Sequence, residues 1–480
     1  MAAVAVALFR LGLIPFLTHP GYTDAYYYFV AARRLAGGQG LTVDFIWNFV
    51  DTPGLAALPA PALRFWMPLA TAIQGAGIAL FGAILDPLRA AQLAIALVAM
   101  AITPATYLLA RRLGAAPPLA AVGGAIAGIG GVEAVAWSSL DNFAPLAVLG
   151  TLLFASLPGI ARGSARDAVL AGIAIGGCIL ARADGALYAL APLVVARRSP
   201  RAVALTLALA AAVAAPWYAR DLALGIPEGQ LARAALLVRY EDFFRLDPPT
   251  LERFLGSLDV VVRARLDAFI PDAVTFLFAT AIVLGPLALA GAVRRRGDPI
   301  RAAWFAVTAA IFLAQWLAFT LHSTRGSLSH SLAGIAPAAI ALGLIEVEPW
   351  LVATRRIAAA LAVLVTVAFA AASVSAWTGE FDPAEAARRA AIAEGVVQAP
   401  ALVANAPAWR YDLNGPAIVT PADGIAALQE VARRYGARTL VLEPGHFRAF
   451  DALYDGREGF DWLVPVRLDG PIRVWQIQTR

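Results

Sequence analysis

The chain has 480 residues, of which 60% are hydrophobic and 15% are charged, and its mean hydropathy is +0.70. A soluble domain carries about a quarter charged residues, so this composition excludes an ordinary soluble globular protein. The net charge of +5 does not indicate a nucleic-acid partner, because the arginines stand at the ends of apolar segments, where the positive-inside rule places them. A single cysteine, Cys178, excludes a disulfide or a cysteine metal site within the chain.

Apolar segments with almost no charge recur along the chain and predict an α-helical polytopic membrane protein of about 11 transmembrane helices. Arg10 falls in the middle of the first segment. Either its side chain faces the interior of the helix bundle, or the true start of the protein lies upstream. The predicted helices are 3–19, 88–110, 117–137, 143–160, 168–182, 184–197, 202–218, 273–293, 301–321, 328–346 and 356–376.

Groups of arginines occupy alternate connections between these helices and predict the orientation of the chain. Placing all the groups in the cytoplasm leaves segments 20–87, 219–271 and 377–480 outside the membrane. Within the first of these, residues 66–83 are apolar enough to enter the membrane. A further span there would break the alternation of the arginine groups, so we predict a surface or re-entrant helix. The arginine groups are Arg111 and Arg112; Arg162 and Arg166; Arg197, Arg198 and Arg201; Arg294, Arg295, Arg296 and Arg301; and Arg355 and Arg356.

The composition changes at about residue 377, where charges become frequent. The sequence therefore predicts a transmembrane domain, 1–376, followed by a small extracytoplasmic α/β domain, 377–480. Residues 422–437 have helical spacing, and strands alternating with a helix favour a parallel or mixed sheet. The predicted strands are 401–405, 416–421, 438–444 and 473–479.

The stretch GYTDAYYYFVAARRLAGGQG, which follows the first apolar segment, places the carboxylate Asp24 beside three tyrosines. Asp24 is either a solvated loop residue or a general base, which needs a carboxylate held near an acceptor hydroxyl. Tyr26 and Tyr27 are either interfacial aromatics or a surface on which a sugar ring stacks. Asp44 and Asp51 are further acids in the same segment that share the candidate role.

Three later turns also bring charges to the predicted outer face. In SSLDNFAPL, Asp141 either caps the following helix or supplies a second acid to the cavity of Asp24. In LARADG and PWYARD, Arg182 and Arg220 either form local ion pairs with the nearby aspartates or bind an anion.

The turn LHSTRGSLSHSLAGIAP concentrates His322, Arg325, His330 and four serines, although the protein has only four histidines. A solvated turn is one interpretation. A metal site is weakly supported, because the two imidazoles are eight residues apart and lack a helical spacing. An anion site is favoured, because the planar guanidinium group of arginine binds phosphate and imidazole assists.

Together these pieces resemble the GT-C superfamily of membrane glycosyltransferases. Within it they are most similar to bacterial relatives of the dolichyl-phosphate-mannose protein mannosyltransferases and of the lipid A aminoarabinose transferases. The resemblance covers nearly the whole chain. Its carriers are the Asp24 stretch, LFG (80–82), YLLARRLG (107–114), LARADG (180–185), PWYARD (216–221), RGSLSHSLAGIAP (325–337) and the α/β tail.

The resemblance implies an inverting transfer of a sugar from a polyprenyl-phosphate carrier to a protein, lipid or glycan hydroxyl at the outer face of the cell membrane. It implies Asp24 as the base, Tyr26, Tyr27, Asp44, Asp51 and Asp141 around the acceptor or sugar, and Arg325, His322, His330, Arg182 and Arg220 around the carrier phosphate. Many relatives carry an Asp-Glu pair in the first loop, whereas Ala25 follows Asp24 here. Asp24 and Asp141 are able to hold a divalent ion, but nothing in the sequence requires a cofactor.

Two other functions compete with this one. A catalytically inactive protein of the same fold would bind the carrier lipid and tolerate the loss of Asp24. A transporter or lipid flippase would have paired charges inside its spans, discontinuous helices and an internal repeat. No clear repeat is visible in the sequence, which disfavours a transporter, whereas the inactive protein stays open. Of the three functions we expect an enzyme.

Overall fold

The structure, a computed structural model, describes residues 2–50, 55–195, 199–225, 230–247, 249–350 and 355–478, although not the side chains of 230–232 and 355. The chain forms two compact units. The helical unit comprises Met1–Thr18, Trp66–Ile226 and Ala264–Ala376, and the sheet unit comprises His19–Phe65, Pro227–Arg263 and Trp377–Arg480. The predicted boundary at 376/377 is therefore one boundary of the sheet unit, which also contains parts of both earlier outer segments.

Several helices of the helical unit begin at a residue that the sequence marks clearly. Asp86 and Asp298 each precede a proline, and each carboxylate accepts hydrogen bonds from two main-chain amides of the first turn. Gly130 ends another helix in the left-handed conformation. The α-helices of this unit are Ala2–Leu13, Leu69–Phe81, Pro87–Met100, Ile102–Arg112, Pro117–Ile129, Phe143–Ala161, Ala165–Ala181, Leu190–Val194, Pro200–Ala223, Leu284–Arg294, Pro299–Leu313, Thr320–His322, Leu328–Leu332 and Ala336–Val347. Leu258–Ala279 and Arg355–Ala393 contribute residues to both units.

Among the described residues, 5 helices are long and apolar enough to cross a membrane, or up to 8 if each bent helix pair is one span. The chain is therefore a multi-pass membrane protein. The bent pairs turn by 42°, 96° and 66°. The count of 11 spans stays a prediction, and Arg197 and Arg198 of the predicted cytoplasmic groups lie outside the described residues.

The apolar stretch 66–83 contains the helix Leu69–Phe81, which has 13 residues. At a rise of about 1.5 Å per residue it is roughly 20 Å long, less than the ~30 Å of a bilayer core. Gly77 allows it to pack closely, because a Cβ there would lie 2.5 Å from the Cβ of Ala94. Its length agrees with the predicted surface or re-entrant helix.

Arg10 faces the interior of the helical unit and is fully buried. Its guanidinium group donates to the carbonyl oxygens of Gly128 and Ala134 and to Ser138 Oγ, at 2.6–2.9 Å. These acceptors lie on both sides of Gly130, where the helix is broken, and helix ends leave carbonyl oxygens without main-chain partners. Of the two alternatives for Arg10, the structure shows the interior position.

The sheet unit is built on a mixed sheet of 6 strands. In chain order the strands of the protein are β1 Thr42–Val43, β2 Phe45–Ile46, β3 Ala60–Pro61, β4 Ala401–Val403, β5 Ala417–Val419, β6 Thr439–Leu442, β7 Leu463–Arg467 and β8 Arg473–Ile477. The large sheet has the order β2-β5-β4-β6-β8-β7, whereas β1 and β3 pair separately. The strand pairs β2–β5, β5–β4 and β4–β6 are parallel. Strand β8 pairs antiparallel with β6 and with β7. All four strands predicted in the tail are present, and the sequence predicted a parallel or mixed sheet.

The tail does not complete this sheet by itself. Strand β2 comes from the first outer segment, and Phe45 lies opposite Ala417 in the parallel register. The second outer segment also contacts the tail, because the amide of Ala422 donates to the carbonyl of Phe244. The helices of this unit are Thr23–Ala36, Gln230–Ala235, Leu251–Leu255, Ala406–Leu413, Ile425–Tyr435 and Asp451–Tyr454.

Candidate functional site

The predicted base, Asp24, lies in the first turn of the helix Thr23–Ala36 in the sheet unit and is half-buried. Tyr22 precedes the helix in an extended conformation. A carboxylate in the first turn of a helix is stabilised in its ionised form by the unpaired amides there. The first turn of a helix thus favours the ionised carboxylate, which is the form that a general base needs.

Tyr26 is buried in a polar network of the sheet unit. Its hydroxyl donates to Glu385 at 2.5 Å and accepts from Arg388 at 2.9 Å, and Arg388 also donates to Asp412 at 2.9 Å. Burial, followed by repulsion from the carboxylate of Glu385, raises the pKa of Asp412 to about 7. Burial also raises the pKa of the Tyr26 phenol above its ordinary value. These bonds connect three helices of the unit, so Tyr26 has structural partners where the sequence predicted sugar binding.

The remaining acids and tyrosine of the first outer segment also have partners within the sheet unit. The hydroxyl of Tyr27 accepts from the amide of Leu63 at 2.7 Å. Asp44 forms ion pairs with Arg410 at 2.6 Å and Arg34 at 3.4 Å. Asp51, the other acid predicted there, lies outside the described residues.

In the helical unit, residues 322–332 form a broken helix that we call the anchored segment. Arg325 and Gly326 leave the helical conformation, and Gly326 has φ of +102°, which favours glycine. Arg325 itself is exposed. The predicted turn is therefore a helix interrupted at the residue predicted to bind phosphate.

Serines fix this segment to neighbouring helices of the same unit. Ser323 donates to Asp272 at 2.9 Å, and Ser329 donates to Glu133 at 3.0 Å. Asp184 accepts from Ser331 at 2.5 Å. Each of these bonds joins a serine hydroxyl to a carboxyl group that is distant in sequence, so the segment is held at three points.

Three of the predicted phosphate ligands are brought together around this segment. Both Arg182 and Arg325 lie within electrostatic range of the His322 ring. Arg182 also donates to Asp184 at 3.0 Å and to Ser327 at 2.9 Å. The structure thus contains both alternatives for Arg182: the local ion pair with Asp184, and a position near His322.

His330 and Asp141 instead contact each other. His330 Nε2 lies 2.9 Å from Asp141 Oδ2, and its ring stacks on Phe143 with centroids 3.9 Å apart. The residue that precedes the helix Phe143–Ala161 is Asn142, and Asp141 Oδ1 accepts from the adjacent amide of Asn142. A carboxylate and an imidazole are metal-ligand types, but two such groups do not define a metal centre.

Arg220 has its own local partners. It pairs with Asp221 at 2.8 Å and lies over the ring of Trp217 at 4.3 Å. The alternative of a local ion pair, stated from the sequence, is therefore present.

Glu133 and Asp272 were not predicted from the sequence, and the serines of this segment carried no predicted role. One signal was available, because Ser323, Ser327 and Ser331 are spaced four residues apart and such residues share one face of a helix. Their partners stand far away in sequence, and no local pattern marks them.

No protein-family model matches the sequence, and no curated protein matches it. Solved structures do match it over almost its whole length. ArnT from Cupriavidus metallidurans bound to undecaprenyl phosphate is similar with a TM-score of 0.60 and 17% identity, over 99% of this chain and 97% of that chain. The oligosaccharyltransferase from Archaeoglobus fulgidus has a TM-score of 0.56 and 14% identity, over 92% of this chain and 69% of that chain. The arabinofuranosyltransferase AftD from Mycobacteria has a TM-score of 0.50 and 16% identity, over 100% of this chain and 41% of that chain.

All three similar structures are glycosyltransferases of the GT-C type. At these identities the similarity shows a shared fold, the one that these three structures have in common. The resemblance inferred from the sequence is confirmed at the level of the fold. ArnT, a lipid A aminoarabinose transferase, represents one of the two branches that the sequence resembles.

Proposed function

We propose that the protein is an inverting glycosyltransferase. It moves a sugar from a polyprenyl-phosphate carrier to the hydroxyl of a protein, lipid or glycan at the outer face of the cell membrane. The observation that carries this proposal is the fold shared, over 99% of the chain, with an ArnT structure that contains undecaprenyl phosphate. The cations around the anchored segment add support, because they suit a phosphate leaving group.

The chemistry is a single displacement at the anomeric carbon of the sugar. The acceptor oxygen forms a bond to that carbon while the bond from the carbon to the phosphate oxygen breaks, and its electron pair stays on the phosphate. The acceptor proton passes to a base, which we assign to Asp24. A phosphate needs cations more than a general acid, and Arg325 and Arg182 supply that charge, with His322 as a further candidate phosphate ligand.

No cofactor is part of this chemistry. A divalent ion held by acids such as Asp24 is an alternative source of positive charge. Assays with and without a chelator separate the two cases, since a reaction driven by side-chain charge alone continues when divalent ions are removed.

Wild-type protein and Asp24→Asn are compared with a panel of polyprenyl-phosphate sugars, with cell-envelope extract as the acceptor source. Loss of the donor is followed by mass spectrometry. We expect wild type to consume one donor and Asp24→Asn to consume none, with insertion into the membrane and carrier binding unchanged. Asp247→Asn is the matched control, because it removes the charge of an acid in the same unit whose side chain is 84% exposed.

The other outcomes are equally clear. Equal consumption by wild type and Asp24→Asn keeps the enzyme and moves the base to Asp44, Asp51 or Asp141. Carrier binding without consumption of any donor indicates an inactive protein of the same fold. Movement of intact donor across the bilayer indicates a transporter, a class in which broken helices are also common.

We further propose that the sheet unit and the reactive centre lie outside the cytoplasm. The proposal rests on the arginine groups at the alternate connections. A thiol-labelling test with an impermeant reagent checks it in intact cells, because the natural cysteine, Cys178, is buried. A thiol introduced at exposed Arg448 is expected to react with the reagent. A thiol introduced at exposed Arg162 is expected not to react.

A further inference from the structure

The side chain of His330 is held by three contacts within the helical unit. Its Nδ1 lies 2.8 Å from the carbonyl oxygen of Gly326, its Nε2 lies 2.9 Å from Asp141 Oδ2, and its ring stacks on Phe143. The residue is 8% exposed. A ring fixed at both nitrogens and one face has a single orientation.

The hydrogen-bond chemistry identifies the donor in one of these contacts. A carbonyl oxygen only accepts a hydrogen bond, so Nδ1 carries a hydrogen and donates the bond to the oxygen of Gly326. That carbonyl belongs to the residue at which the helix is interrupted, with φ of +102°, and an interrupted helix leaves carbonyls without main-chain partners. The imidazole thus contacts the main chain at the interruption itself.

The partner of Nε2 is itself fixed. Asp141 Oδ1 accepts from the amide of Asn142, and the side chain of Asn142 accepts from the amide of Ala70 at 2.9 Å. A continuous set of hydrogen bonds therefore runs from Ala70 to Gly326, the neighbour of Arg325.

We propose that His330 is a positioning residue for Arg325 and does not bind the carrier phosphate itself. Its Nδ1–H holds the carbonyl of Gly326, and Asp141 and Phe143 hold the ring. The interruption of the helix then keeps one conformation, and Arg325 is presented to the ligand from a fixed main chain. This assignment rests on the proposed function in one respect only, namely that the ligand of Arg325 is the carrier phosphate.

Two substitutions separate the two nitrogen contacts. The amide nitrogen of His330→Asn is placed like Nδ1 and is able to donate to Gly326. The amide of His330→Gln reaches the position of Nε2 and contacts Asp141 in its place. His330→Ala removes both contacts, and thermal unfolding of each variant shows which ones are folded.

The first measurement is the affinity of detergent-solubilised protein for undecaprenyl phosphate, by native mass spectrometry. We expect His330→Asn to bind like wild type. His330→Gln should bind about tenfold more weakly, a loss of about 1.4 kcal/mol, in the range of one hydrogen bond. The double variant Arg325→Gln/His330→Gln should bind no more weakly than Arg325→Gln alone, because a positioning effect needs Arg325.

Equal losses in His330→Asn and His330→Gln, with additivity in the double variant, would mean that His330 contacts the phosphate directly and would overturn the proposal.

The second measurement needs no ligand. A spin label is attached to Thr324→Cys, an exposed position beside Arg325, and the buried Cys178 leaves that thiol as the reactive one. The label should move faster in His330→Gln than in wild type or His330→Asn, and equal motion in all three overturns the positioning role.

If wild type binds no undecaprenyl phosphate, the donor assignment of the proposed function fails, while the spin label still decides the role of His330.

Discussion

The guanidinium group of Arg10 donates two hydrogen bonds to the carbonyl oxygen of Gly128, at 2.9 Å from Nε and 2.6 Å from the terminal nitrogen. This contact closes the end of the helix Pro117–Ile129, where Gly130 turns the chain away. A charge within an apolar helix is costly unless it has such partners. Arg10 is thus a structural residue that stabilises a broken helix.

Arg10→Met should destabilise the protein by about 3 kcal/mol or more, because several charged hydrogen bonds are lost at ~1.5–3 kcal/mol each. Arg10→Lys should lose less, since an ammonium group keeps the charge but does not reach all the acceptors. Thermal unfolding in detergent gives the order of the three proteins. An Arg10→Met variant as stable as wild type would show that the carbonyls find other partners.

Arg325 and Arg220 were both predicted to bind the carrier phosphate, and their surroundings differ. Arg325→Gln should weaken undecaprenyl phosphate binding by about 10- to 100-fold, the range expected for loss of a charged hydrogen bond. Arg220→Gln should change it little, because that side chain already pairs with Asp221 and covers Trp217. Titration of the lipid into each purified variant measures the two effects, and equal losses would return Arg220 to the phosphate site.

Tyr26→Phe tests whether the Tyr26 hydroxyl acts in structure or in sugar binding. The substitution leaves Glu385 and Arg388 without the bridging hydroxyl, and we expect a loss of stability of about 1–3 kcal/mol. The acceptor KM, measured below the unfolding temperature, should stay as in wild type. A raised KM with unchanged stability would support the sugar-binding prediction instead.

Asp412 predicts a pH dependence of stability for the sheet unit. Burial and the neighbouring Glu385 raise the pKa of Asp412 to about 7, whereas an unfolded aspartate titrates near pH ~3.9. The folded state therefore holds a proton that the unfolded state has lost between these values. The stabilisation is complete below about pH 4 and is lost as the pH rises through about 7.

In Asp412→Asn this titration is absent. Relative to the variant, wild type should lose stability as the pH is raised from 4 to 8, measured by thermal unfolding at fixed ionic strength. Asp455→Asn, an exposed acid of the same unit, serves as the control and should run parallel to wild type. Parallel curves for wild type and Asp412→Asn would show that Asp412 is ionised throughout this range.

Much of the fold could be predicted from the chain because its signals are local. The strands Ala401–Val403, Ala417–Val419 and Thr439–Leu442 are short apolar runs, and all were predicted. The partner of the second of these, Phe45–Ile46, was not predicted, because two residues carry no periodic signal. The interruption at Gly326 likewise lies inside a segment that composition alone describes as an outer turn.

The candidate site was predicted as a set of residue types and not as a set of contacts. His322, Arg325 and Arg182 were selected for their chemistry, and the structure places the two arginines within electrostatic range of the histidine. His330 was selected on the same grounds, yet both its nitrogens face protein groups. Residue chemistry does not distinguish a ligand-binding imidazole from one that holds the main chain.

The sequence by itself determined that this is a helical membrane protein, where four of its tail strands lie and which side chains are able to carry charge at its site; it did not predict Leu463–Arg467. These properties depend on composition and on spacing along one element. Only the tertiary structure decided that Arg10 closes a broken helix, that β2 joins the tail sheet and that serines anchor the segment around Arg325. Each of those contacts joins residues distant in sequence, and hydrogen bonds and ion pairs form according to distance in space.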